Sequence, residues 1–424
     1  MQFSNGRDIL SRLWLFGALN AAVSFTVQLR SIDWQKSLPL DASGLVLGRD
    51  FLNVWFAGAA AYTADPGANY QYDTYARALA ALLGPDYPTQ IWSYPPIWLL
   101  FAWPFGALPY LVGLALFLAF SIALYIQILR SQFLDKRLYW AGLLAPACLF
   151  SVVSGQFALL IAAIWLTAWP RLDRRPWLAG FLLGLLSLKP QVAIMLAVML
   201  LVTGRWRVIA AGVLTTLGLV SATLVLWGPK LWEAYIDTGI GNQLRVLTDP
   251  LLLAAPFMPT LFVGLRRLGL SIAEASLGQT LAMIACLACT VRYFWGRARQ
   301  EVSMTDLAFL LAAGAAATPY LMIYDTLPLA LAMLLIQVRR EAATSAAAIA
   351  PLTVAVYLLP LLHLIGNAAH LALGWLAVAA IMVVLVRYRV ATAHRSRSET
   401  GIQPTKAQGH AEARPDDQPQ SLRG

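Results

Sequence analysis

The sequence predicts an all-α polytopic membrane protein, a bundle of about 12 transmembrane or half-membrane helices with a helical first outer loop. Three observations lead there. Of 424 residues, 59% are hydrophobic and only 12% charged, where a soluble domain carries about 25% charged residues. Mean hydropathy is +0.65. Apolar runs approaching the ~20 residues of a bilayer crossing recur along the chain. A water-soluble enzyme and a secreted disulfide scaffold are excluded. The net charge of +10 suits a lipid surface better than nucleic acid. Cys148, Cys286 and Cys289 lie in apolar runs, and their spacing reads as buried helix faces rather than a metal or disulfide framework.

The apolar runs fall at about 10–29, 97–129, 138–152, 156–170, 177–188, 191–203, 208–228, 271–294, 305–318, 325–338, 346–362 and 370–388. The first, behind Arg7 and Arg12, is long for the apolar core of a signal peptide and reads as an uncleaved span. Run 97–129 exceeds one crossing and is broken by Pro104 and Pro109; several others fall short of one. Such helices are tolerated at membrane depth where the loosened backbone lines a cavity, so they point to a site. Between the first two runs, the outer region 30–95 is too long for a turn. It holds two helix-like stretches, Phe51–Thr63 and Tyr72–Leu83, suited to the membrane interface. A second outer region covers 227–270. Residues 391–424 are polar and rich in Pro, Gln and Arg. They offer too little apolar surface to fold and read as a disordered cytoplasmic tail behind an integral membrane domain of 1–390.

With the N-terminus inside, the inner connections hold 22 of the 31 Lys and Arg and the outer ones hold eight, with Lys189 at a hairpin apex. Cytoplasmic loops collect basic residues. Both termini are therefore expected in the cytoplasm of a multi-pass plasma-membrane protein.

Polar residues gather at the expected outer ends, where charge survives with a partner or a task. Asp50 follows Gly48 and Arg49 and precedes Asn53 and Trp55. It fits a general base for an acceptor hydroxyl and equally the cap of a helix starting at Phe51. Tyr94, before Pro95-Pro96, opens the next helix. Ser154-Gly155-Gln156 and Ser187-Leu188-Lys189-Pro190-Gln191 interrupt two hairpins at similar depth. Lys189 is either a point charge for a phosphate or an ammonium reaching the headgroups. Tyr320 and Asp325 follow Thr318-Pro319; Asp325 is a candidate partner for Lys189, an orienter of a ligand hydroxyl, or a helix cap. Arg245, in the second outer region, is a second candidate for phosphate.

A carboxylate, a deep cation, aromatic rings and amides on the outer side suit a sugar carried on a lipid phosphate. One base and one cation suffice for a single inverting displacement, because a phosphate leaves without an acid catalyst. No clustered pair of acids stands on that side, so no metal or other cofactor is expected.

The run Gly48-Arg49-Asp50-Phe51-Leu52-Asn53-Val54-Trp55, then Tyr94-Pro95-Pro96, Gly155-Gln156, Leu188-Lys189-Pro190-Gln191, Met258-Pro259-Thr260 and Thr318-Pro319-Tyr320 with Tyr324-Asp325 resembles glycosyltransferase family 87 over about 45–390. The resemblance implies a GT-C-like bundle and a polyprenyl-phosphate sugar donor, most simply mannose. It implies a glycan or glycolipid acceptor outside the membrane and Asp50 as catalytic base. By the same reading Lys189 and Arg245 would hold the donor phosphate, and Asn53, Tyr94, Gln156, Gln191, Tyr320 and Asp325 would contact substrate. Two other classes use the same polar groups: a lipid-linked sugar flippase or transporter, and a non-catalytic assembly subunit.

Overall fold

Prolines and glycines cut the apolar sequence into helices. A computed structural model describes residues 6–248 and 257–368, apart from 36, 37, 43, 89, 134, 299 and 339–345, and a few positions between 374 and 383. The tail 391–424 and most of the expected run 370–388 lie outside the described residues. In chain order the α-helices are α1 (Gly6–Ser31), α2 (Arg49–Ala60), α3 (Tyr72–Leu83), α4 (Leu99–Gly106), α5 (Tyr110–Gln132), α6 (Lys136–Leu143), α7 (Pro146–Ser154), α8 (Ala158–Ala168), α9 (Pro176–Gly184), α10 (Ile194–Val202), α11 (Trp206–Trp227), α12 (Lys230–Ala234), α13 (Ile240–Thr248), α14 (Leu261–Arg267), α15 (Ile272–Phe294), α16 (Met304–Ala317), α17 (Leu327–Val338) and α18 (Ala346–Ala368). Among the described residues there is no strand, only two isolated bridges, Asp33 with Leu40 and Leu40 with Val46.

Among the described residues, five helical stretches are long and apolar enough to cross a membrane: Tyr110–Gln132, Lys136–Ser154, Trp206–Trp227, Ile272–Phe294 and Ile349–Asn367. Six shorter apolar helices accompany them. Helix α1 is long, but Asn20, Ser24 and Gln28 dilute it, and it is not one of the five. Of the two cysteines on α15, Cys286 is buried and Cys289 is exposed, so the expectation of one buried face holds for only one of them.

The breaks have local causes. Pro109 disfavours helix at Leu108 and separates α4 from α5. Pro146 and Pro176 sit in the first turns of α7 and α9, where a missing N–H costs nothing. Gly155 ends α7 in the left-handed conformation, φ 69°. Capping boxes start α15 (Ser271 with Glu274) and α16 (Ser303 with Asp306).

Close helix crossings rely on glycine. Gly58 of α2 and Gly106 of α4 meet backbone to backbone, and a Cβ added at Gly58 would lie 2.2 Å from the Ala102 carbonyl oxygen. Small residues permit such approach in membrane bundles. Beside it, the Trp55 indole donates to the Leu108 carbonyl at 2.8 Å. A Gly58→Ala substitution is expected to destabilise the protein by about 1–3 kcal/mol, because the obstacle is main chain rather than a flexible side chain. Thermal unfolding in detergent reads this out, and an unchanged midpoint would show that the crossing can spread.

At one end of the bundle, three Arg-bearing connections meet. Arg205 pairs with Asp173 at 3.0 Å and donates to the Gln300 carbonyl at 2.9 Å. Nearby, Arg297 grips Asp306 through two bonds of 3.0 and 2.9 Å. Elsewhere the Gly155-Gln156 apex packs against α2, with Lys189 of the other apex behind it on the Phe157 ring.

Candidate active site

Helix α2 presents the first part of the site. Gly48, at φ 68°, is its N-cap, a conformation that only glycine adopts cheaply. The Tyr110 hydroxyl lies 2.7 Å from the Leu47 carbonyl and 3.0 Å from that of Gly48, anchoring this turn to α5. Phe51 is fully buried against Phe105, Tyr110 and Phe117. Burying that face leaves Arg49, Asp50 and Asn53 on the wall of a cavity of about 110 Å³. The helix begins at Arg49 and shows no side-chain cap, so Asp50 is a first-turn residue and not the cap of a helix starting at Phe51.

The opposite wall comes from distant chain. Ser93, Tyr94, Gln156, Tyr320 and Tyr324 line it, with Phe257 at the rim. Gly155 packs against the start of α2, where an added Cβ would lie 2.7 Å from that of Phe51. Gln156 is thereby set beside Asp50, its amide nitrogen 3.4 Å from Asp50 Oδ2 and 2.9 Å from the Tyr324 hydroxyl. The Tyr324 hydroxyl, on the same amide nitrogen, stands beside Asp50 and favours its carboxylate form. Asn53 Oδ1 accepts from the Tyr75 hydroxyl, which leaves its NH₂ for the cavity. Helix α13 fixes the segment carrying Ser93 and Tyr94: Asn242 donates to the carbonyls of Tyr70 and Trp92, and Gln243 to Ser93 Oγ at 2.7 Å.

Two kinds of charge surround this space. Asp50 and Arg49 keep 23% and 25% of their side-chain surface open, with Arg49 Nε 3.9 Å from Asp50 Oδ1. Lys189 and Asp325 keep 2% each and are joined at 2.5 Å. Burial raises the Asp50 carboxyl above the usual carboxylate range. The Arg49 guanidinium, then the Tyr324 hydroxyl, the Gln156 amide and the Lys189 charge, pull it back. Burial, and then Asp50, raise the Tyr94 phenol, so it is a neutral hydroxyl at ordinary pH.

Five of the nine site residues expected from sequence therefore share one cavity: Asp50, Asn53, Tyr94, Gln156 and Tyr320. The other four are placed differently. Lys189 lies behind the wall; its charge is taken by Asp325 and its ammonium is 5.2 Å from the Phe157 ring centre and 5.4 Å from that of Tyr324. Asp325 is that partner, and its Oδ2 also accepts the Met322 N–H at 3.0 Å. Arg245 stacks on Tyr72, 4.9 Å from the ring centre, and is not part of the lining. Gln191 is half-buried and also outside it. Among the described residues, no three His, Cys, Asp or Glu gather as a metal set.

A family model for glycosyltransferase family 87 matches residues 92–324, more than half of the chain. The chain belongs to glycosyltransferase family 87. No curated protein and no solved structure matches it. With its apolar helices, this family 87 chain is a membrane glycosyltransferase. The matched stretch holds Tyr94, Gln156, Lys189, Tyr320 and Tyr324, whereas Arg49, Asp50 and Asn53 precede it. It is shorter than the 45–390 over which the motifs resemble the family.

Among the residues of this glycosyltransferase's cavity that sequence reasoning passed over, two bear directly on Asp50. Arg49 is the cation on the wall, its guanidinium 4.4 Å above the Phe257 ring. Tyr324 accepts from Gln156 at 2.9 Å, and its hydroxyl favours the Asp50 carboxylate. Adjacency to Asp50 was the available signal for Arg49. For Tyr324 it was the aromatic residue one position before an expected polar site.

Proposed function

We propose that this chain transfers a hexose, mannose in the first instance, from a polyprenyl-phosphate donor to a glycan or glycolipid acceptor at the outer face of the plasma membrane. The observation that carries the reading is a partly open carboxylate, Asp50, beside a partly open guanidinium, Arg49, the two charged groups among the described residues lining a cavity whose other walls are amides, hydroxyls, rings and aliphatic side chains. Asp50 takes the proton of the acceptor hydroxyl as that oxygen bonds to the anomeric carbon. On the opposite side of that carbon the bond to the phosphate oxygen breaks, and the electron pair leaves with the polyprenyl phosphate. One displacement inverts the anomeric centre. Negative charge grows on the departing phosphate, and a cation fixed there stabilises the transition state. Arg49, rather than Lys189 or Arg245, is the group suited to that task. Guanidinium carries five N–H donors, and among the described residues Arg49 has a loose ion pair with Asp50 and a stacking contact with the Phe257 ring. Both termini lie in the cytoplasm in this reading, and the bundle is of the GT-C kind.

The test is reconstitution of the purified protein in liposomes with radiolabelled polyprenyl-phosphate mannose and an extracted lipid acceptor fraction. Label should move from donor to a product of inverted configuration. Label crossing the bilayer on unchanged donor would identify a flippase instead. In the same assay Arg49→Gln is expected to raise the donor KM by about 10-fold or more, the worth of a charge-assisted hydrogen bond. A donor KM equal to wild type would remove Arg49 from the phosphate.

A further inference from the structure

Gln156 is held by more than its side chain. Its backbone N–H donates to the Ser151 carbonyl at 2.8 Å, and its own carbonyl accepts from Ser151 Oγ at 2.8 Å. Its side-chain Oε1 accepts the Phe157 N–H at 2.9 Å, which settles the orientation of the amide: the NH₂ must face the cavity. Three oxygens stand near that nitrogen, Tyr324 Oη at 2.9 Å and Tyr94 Oη and Asp50 Oδ2 at 3.4 Å each. Two protons serve them, and the shortest contact goes to Tyr324. A hydroxyl that accepts from Gln156 keeps its own proton to give, and the Asp50 carboxylate, 3.4 Å from the same amide nitrogen, is the acceptor beside it. The Phe157 N–H, the Gln156 amide and the Tyr324 hydroxyl thus stand in series beside Asp50, which the Gln156 amide itself reaches at 3.4 Å.

We infer that Gln156 and Tyr324 are positioning residues whose donor chain holds Asp50 as an anion aimed into the cavity. This rests on the reading of Asp50 as the base of the transferase. Burial alone favours the protonated acid, which takes no proton from an acceptor. Hydrogen bonds to the charged form oppose that, and donors in series reinforce one another. Tyr324 is itself mounted on a pinned turn, since Asp325 accepts both the Lys189 ammonium and the Met322 N–H. The other charged or titratable groups facing Asp50 do not replace the chain. Arg49, on the same helix, is 3.9 Å away with no hydrogen bond. Lys189 acts from behind and is paired. Tyr87, Tyr94 and Tyr320 surround the carboxylate as neutral phenols raised by burial and by its charge, and the Tyr110 hydroxyl is engaged with the Leu47 and Gly48 carbonyls.

The test uses the full chain in detergent and needs no substrate. Dicyclohexylcarbodiimide reacts with protonated carboxyl groups, and its adduct on Asp50 is quantified by mass spectrometry across pH. Tyr324→Phe and Gln156→Leu are each expected to move the labelling midpoint upward by about one pH unit. Tyr125→Phe, which removes a buried hydroxyl bonded to the Gly142 carbonyl at 2.8 Å, should leave it in place. The acid limb of sugar transfer should shift with the label. A midpoint unmoved in Tyr324→Phe and Gln156→Leu, an equal shift in Tyr125→Phe, or no Asp50 adduct in the variants would overturn the proposal. Labelling is independent of turnover, so such a result leaves the transferase reading standing. Conversely, transfer by an Asp50→Asn protein would refute the base while leaving the labelling result intact.

Discussion

An Asp50→Asn protein is expected to fold, elute as wild type and lose sugar transfer by roughly 10²–10⁴-fold, the usual worth of a general base. Asparagine nearly matches the shape of aspartate, so the contacts of α2 with Phe105, Tyr110 and Phe117 are untouched. What it removes is the proton acceptor. The same substitution has an unusual consequence for stability. Folding raises the Asp50 carboxyl above its ordinary value, chiefly through burial. A group raised in this way binds its proton more tightly when folded. Its contribution to stability is full below the ordinary carboxylate range and is lost as pH rises through the raised folded value. At neutral pH the ionised Asp50 therefore counts against the fold, and the uncharged asparagine does not. The variant should melt at or slightly above the wild-type temperature at neutral pH, with the difference closing as pH falls. The gain is small because nearly a quarter of the side chain remains open. A clear drop in melting temperature together with lost activity would recast Asp50 as a structural residue.

Much of this arrangement was legible in the sequence, for reasons that can be traced to particular residues. Helix α3 occupies the expected Tyr72–Leu83 stretch, because Gly84 stops a pattern that nothing interrupts earlier. The run 97–129 divides at Pro109 as its proline requires. Polar apices at Gln156 and Lys189 stood out because each breaks an apolar hairpin, and the structure brings both close to Asp50. The division of labour between charges was not legible. Lys189 finds Asp325 across 136 residues, and no local pattern announces that its charge is already neutralised. Arg49 and Asp50 are successive helix residues, which do not ordinarily face the same way. They share a wall because Gly48 starts the helix in the left-handed conformation and Phe257 supplies a ring for the guanidinium. The same glycine moved the helix start ahead of Asp50 and removed its expected capping role.

Lys189→Ala is expected to be the most destabilising single change at the site, by about 3–5 kcal/mol, because it strands the buried Asp325 carboxylate without a partner. The two side chains keep only 2% exposure each, so water cannot take the place of the ammonium. The decisive comparison is the double replacement Lys189→Met with Asp325→Leu. A buried ion pair exchanged for apolar residues of similar size is often neutral or stabilising, so the double variant should recover most of the melting temperature lost in Lys189→Ala. It should not recover everything, since Asp325 Oδ2 also accepts the Met322 N–H at 3.0 Å and losing that bond costs about 1 kcal/mol. Catalysis separates the two roles open to Lys189. If the pair serves only to fix the turn that carries Tyr324, the stable double variant keeps a donor KM near wild type and loses turnover as Tyr324 loosens from Asp50. If Lys189 instead leaves Asp325 to meet the donor phosphate, the double variant is equally stable yet shows a donor KM raised at least as far as Arg49→Gln does. The buried, fully paired geometry favours the first result, and a donor KM that rises with unchanged turnover would reverse it.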